Sequence, residues 1–88
     1  MAYSERGLWV YLAYRVRLAR ARAGLSQRDL ALAVFAVPYP QWIDQVERAH
    51  RKLTAVELYR LAGALGVSLT YFFPAERTAG GGEAQPQG

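Results

Sequence analysis

The segment Gly24 to Glu47, GLSQRDLALAVFAVPYPQWIDQVE, decides the architecture. Ser26 precedes an apolar-periodic stretch, where a hydroxyl accepts from the free N–H groups of a first helical turn. Asp29 puts an acid three residues on, favourable at the same end. Leu30, Ala31, Ala33 and Val34 supply the apolar face of that helix. Phe35 to Tyr39 breaks the period, and Pro38 and Pro40 each bias their predecessor away from helical angles. Pro40 itself suits the first position of a new helix, because its ring presets φ and its missing N–H costs nothing there. That helix runs from Pro40 to about Arg48 with Ile43 and Val46 inward. Two short helices joined by a turn result.

Working outward, a longer helix precedes the pair, from about Glu5 to Ala23. Gly24 suits the left-handed position after it, and Leu8, Leu12, Val16 and Ala19 form its buried stripe. Downstream, Thr54 and Glu57 make a capping box for a helix carrying Val56, Leu58, Leu61, Ala62 and Leu65 up to Gly66. Ser68 is read as the cap of a short fifth helix with Leu69, Phe72 and Phe73 apolar, stopped by Pro74. No window alternates with period two long enough to argue a strand. The expectation is an all-α, compact five-helix domain over residues 1–75. The stretch 76–88, ERTAGGGEAQPQG, is expected to be a disordered tail.

At 88 residues the chain can bury one core but not a deep catalytic cleft as well. Its 52% apolar content argues against wholesale disorder. With no cysteine, disulfides and thiolate metal sites are excluded, which fits a reducing cytoplasm. The apolar run Leu8 to Tyr14 is too short to span a bilayer, so no anchor or signal peptide is read and a cytoplasmic location is expected. The net charge is +4, and its placement says more than its size: five arginines and no acid lie between Arg15 and Arg28. Arg48, His50, Arg51 and Lys52 form a second cluster. Two such patches suit a polyanion lying across both, or simply a solvated surface. Ser4, Ser26 and Ser68 read as caps and the acids are scattered. His50 has no second histidine or cysteine to share a metal. No catalytic residue, metal or cofactor is expected, and the chain is not read as an enzyme.

The sequence resembles the XRE-like family, the phage-repressor and Cro type of helix-turn-helix domain. The resemblance rests on Arg15-Val16-Arg17 and Arg20, Gly24-Leu25-Ser26-Gln27 and Leu30-Ala31. It continues through Ile43, Val46, Glu47 and Arg48, then Leu61-Ala62 and Ala64-Leu65-Gly66-Val67-Ser68. It implies that the helix from Pro40 lies in the major groove of double-stranded DNA while its predecessor crosses the backbone. Gln41 and Gln45, four apart and so on one face, fall where similar repressors read bases; an amide donates and accepts together, as adenine requires. Trp42 is a further base-reading candidate. The resemblance places backbone contacts at Gln27 and Arg28 and at Arg48, His50, Arg51 and Lys52. It also implies a structural ion pair between Arg20 and Glu47, and pairing of protomers near the C-terminal helix.

Three features depart from the family. The turn at Phe35 to Pro40 is about two residues longer than usual, and Ala36 stands nearest its missing glycine. Trp42 and Asp44 are unusual in the groove helix; Trp42 could stack on sugar, touch a thymine methyl, or fold back over the turn. Ala49 and Leu53 replace the glycine and proline common after it. In addition, Leu8 to Tyr14 is apolar on every face, so Trp9, Val10 and Tyr14, together with Tyr71 and Phe72, are candidates for a homodimer or protein-partner surface. The expected function is a sequence-specific, repressor-like regulator of transcription. The alternative is a protein-interaction module on the same fold that has lost base reading.

Overall fold

The computed structural model of the chain describes residues 3–75, so the expected tail at 76–88 lies outside the described residues. Among the described residues there are four α-helices: α1 (Glu5–Ala23), α2 (Gln27–Phe35), α3 (Pro40–Glu47) and α4 (Ala55–Leu65). A single 3₁₀ turn, Leu69–Phe72, follows. Local chemistry sets the boundaries. Ser4, Ser26 and Thr54 each accept from a backbone N–H three residues on, and Glu57 returns the bond to complete the box at α4. Gly24 and Gly66 end α1 and α4 at φ 71°, a left-handed geometry that glycine adopts without penalty.

The expected fifth helix is corrected to that 3₁₀ turn. Only four residues separate Ser68 from Phe73, which is already extended before Pro74, too few to repay helix nucleation. Ser68 makes no cap; its Oγ meets Thr70 Oγ1 at 3.0 Å.

The core is built where α2 packs on α3 and α4 while α1 lies across α3 and the 3₁₀ turn. Val16, Leu30, Ile43, Leu61 and Phe72 are at its centre, each with no exposed surface. Phe72 therefore cannot serve as a partner surface: the turn points its ring inward to close the bottom of the core. Tyr71 is half-buried and engaged, with the Arg15 guanidinium 3.8 Å over its ring and Arg15 Nε donating to its carbonyl at 2.8 Å. Trp9 also packs partly against the core. Of that candidate surface, Val10 and Tyr14 remain about half exposed. The stripe on α1 runs through Leu12, Ala13, Val16 and Ala19, with Leu8 only partly covered. On α2 and α4, Ala33 and Val56 face solvent.

Two non-glycine residues are left-handed, Ala36 at φ 65° after α2 and Ala49 at φ 61° after α3. At Ala49 the backbone continues into a 2.8 Å bond from His50 N–H to the Gln45 carbonyl, the same helix ending that glycine makes elsewhere in the chain. Holding alanine there costs about 1 kcal/mol. Ala49→Gly and Ala36→Gly are each expected to raise Tm, at about 4–8 °C per kcal/mol for a domain this small. Ala33→Gly, inside α2, should lower it. Thermal melts of the three variants check the assignment.

Candidate nucleic-acid interface

Eight residues cannot hold a helix in water unaided, so α3 depends on what its inner face meets. Ile43 and Val46 enter the core, and Glu47 follows them at 7% exposure. Its carboxylate is fully used. Arg20 Nε donates to Oε2 at 2.6 Å, Arg20 Nη2 to Oε1 at 3.1 Å, and Gln27 Nε2 to Oε1 at 3.1 Å. Arg20 Nη1 also donates to the Leu25 carbonyl at 3.1 Å. These hydrogen bonds to Glu47 hold the Arg20 pKa above its ordinary value, against the opposing effect of burial. One ion pair thus joins α1, the start of α2 and the end of α3. Gln27, a backbone-contact candidate, is turned inward here, its amide N–H committed to Glu47.

The outer face of α3 is polar. Gln41, Gln45 and Arg48 are exposed at spacings of four and three, one stripe opposite Ile43, Val46 and Glu47. Arg48 Nε pairs with Asp44 Oδ2 at 2.8 Å, which turns the acid along the helix. Arg28 is exposed at the start of α2, and His50 is exposed beyond the end of α3. Lys52 meets Glu5 at 2.5 Å, with both side chains 69% exposed. The bond to Lys52, then its charge, lowers the Glu5 pKa. Such a pair favours folding above the ordinary carboxylate range, and that support is lost as pH falls through the lowered value.

The turn between α2 and α3 carries its own small core. Trp42 meets Phe35 and Tyr39 edge to face, each at 5.3 Å between centroids. The Arg51 guanidinium covers Phe35 at 4.7 Å and Trp42 at 4.8 Å. Trp42 is therefore folded back over the turn, away from the outer stripe. Arg51, expected from sequence at phosphate, packs on these rings here: its Nε is buried without a partner among the described residues and its Nη2 lies 3.9 Å from Glu57. Stacking a weakly hydrated cation on two rings covers apolar surface that the longer turn would otherwise expose.

Two residues escape the sequence reading. Arg6 Nη1 donates to the Ala49 carbonyl at 2.6 Å, tying the start of α1 to the loop after α3. No local pattern announces a bond across 43 residues. Tyr39, 47% exposed immediately before α3, had a visible signal: an aromatic between two prolines at a helix start.

Arg20→Met is expected to cost about 3 kcal/mol, because it leaves the Glu47 carboxylate buried and unpaired. The double variant Arg20→Met, Glu47→Leu should recover at least half of that loss, since an apolar pair carries no desolvation penalty. Urea unfolding of single and double variants measures both. Equal losses in the two would show that the pair's shape, not its charge, is what matters.

No protein-family model and no curated protein matches the chain. Solved structures do. The restriction-modification controller protein C.AhdI of Aeromonas hydrophila is 31% identical with a TM-score of 0.66, the match covering 74% of this chain and 96% of that one. A hypothetical transcription factor from Neisseria, NHTF, is 28% identical with a TM-score of 0.68, covering 84% of this chain and 83% of its own. Among the described residues no helix is long and apolar enough to cross a membrane. By its match to nearly the whole of the controller protein, the chain belongs with the helix-turn-helix regulators of transcription to which these two structures belong.

Proposed function

We propose that the chain is a sequence-specific, XRE-like regulator that binds double-stranded DNA in the cytoplasm with α3 in the major groove. The observation that carries this reading is the exposed stripe Gln41, Gln45 and Arg48 on a helix clamped from behind by Glu47. A groove helix must be rigid in orientation and free along one face, and α3 has both properties. Gln41 and Gln45 read base edges, and Arg28, Arg48, His50 and Lys52 meet phosphates. Gln27 holds Glu47 through one amide N–H and has a second for a phosphate. Regulation follows from occupancy: a bound protomer obstructs or recruits polymerase at its site.

A homodimer fits this role, because two copies place two α3 helices about one helical turn apart. Val10 and Tyr14, four residues apart, are exposed on α1, and Tyr59 and Leu69 rim a shallow groove with Ala33, Gly63 and Val67. The apolar side of α1 also favours a second reading, a module that docks a partner protein on this fold.

Selection of bound sites from random duplex DNA tests the first reading directly. The expected product is a short motif repeated at about one-turn spacing. Its affinity should fall with salt at a log–log slope of about −3 per protomer. Gln41→Ala with Gln45→Ala should relax the motif and leave non-specific affinity intact. Retention of the wild-type motif by that double variant, or no duplex binding at ~50 mM salt, would overturn the reading in favour of the second.

A further inference from the structure

Tyr39 packs one edge on Trp42, and the contacts described above leave its other side unassigned. It occupies the position before α3 in extended backbone, φ −101° and ψ 97°, and makes no side-chain cap. Nearly half its surface is open to solvent, and the rest of the ring has a fixed neighbour. It stands edge to face on Trp42 at 84°, and Trp42 is itself pinned between Phe35 and Arg51. The backbone is fixed as well, by Pro38 and Pro40 and by the Trp42 N–H donating to the Tyr39 carbonyl at 3.1 Å. An exposed aromatic resting on a packed ring between two prolines has fewer conformations to lose on meeting a ligand. It lies two residues ahead of Gln41, at the end of α3 from which a groove helix meets base edges. The apolar group that the major groove offers such a ring is the C5-methyl of thymine.

We propose that Tyr39 is a specificity-determining residue, its ring packing on a thymine methyl at one base pair of each half-site. The proposal rests on α3 being the groove helix and adds a reader from the lengthened turn. The Phe35–Trp42–Arg51 cluster acts as its support, so the extra turn length extends the reading surface.

The test uses the full chain and its selected duplex, with each thymine replaced in turn by uracil, which removes the methyl alone. Wild type should lose affinity about fourfold at one position per half-site, the value of one buried methyl group. Tyr39→Phe should behave as wild type. Tyr39→Ala should bind the thymine duplex about as weakly as wild type binds the uracil one, and be indifferent to the replacement there. The proposal is overturned if Tyr39→Ala keeps the wild-type uracil penalty at every position. It is equally overturned if that variant weakens binding to selected and unrelated duplexes alike, which marks a backbone or scaffold role. Relaxation of the motif by Gln41→Ala and Gln45→Ala but not by Tyr39→Ala removes this proposal and leaves the α3 reading standing. A wild type without any sequence preference removes both.

Discussion

The buried carboxylate of Glu47 is the constraint on which the arrangement of helices depends. A charge so nearly removed from water is tolerated only when its oxygens are filled by donors of fixed geometry. Arg20 fills them in a bidentate manner and Gln27 adds a third bond, so the end of α3 has one acceptable orientation relative to α1 and α2. Apolar contacts alone would tolerate sliding, because Ile43 and Val46 could repack at several angles. A planar guanidinium–carboxylate pair is directional, and that direction is transmitted to every residue on the outer face of α3. The same three bonds explain why Gln27 is not a free surface amide. One of its two amide N–H groups is spent on the clamp.

The turn between α2 and α3 presents a separate problem with a separate solution. Its aromatic residues would expose apolar surface if nothing covered them. Phe35, Tyr39 and Trp42 meet edge to face and Arg51 closes over two of them, making a satellite core beside the main one. Arginine commonly meets phosphate, yet Arg51 here lies over Phe35 and Trp42 as a packing residue. The aromatic residues of the turn, the tryptophan and the inward arginine thus form one structural unit.

The basic surface carries its own counter-charges. Arg48 pairs with Asp44 and Lys52 with Glu5, all at exposed positions where an ion pair is weak and screened by salt. Weak pairs of this kind orient the cations without committing them, and a phosphate can displace the carboxylate at little cost. Arg20, buried in a satisfied pair, has no such freedom. Exposure therefore separates arginines that build the fold from arginines able to meet a polyanion, although in composition they are alike.

What could be read from the chain alone is what local chemistry decides. Ser4, Ser26 and Thr54 mark helix starts, Pro40 suits a first turn, and Gly24 and Gly66 mark ends, because caps and turns involve residues within a few positions of one another. The periodic apolar residues gave the all-helical class and most of the core for the same reason. Ala49 at positive φ was legible as a substitution for glycine. The inward Arg51 and Gln27, the covered Tyr71 and Phe72, and the bond from Arg6 to Ala49 were not. Each depends on partners tens of residues away, and a long amphipathic side chain is equally at home on a surface or over an aromatic ring. The fifth element misled for a related reason: its apolar residues suit a helix, but packing Phe72 into the core before Pro74 left room for only one 3₁₀ turn. Sequence alone determined the helices and their order; tertiary packing decided which charges and rings face outward, because that choice is made by distant neighbours competing for the same side chains.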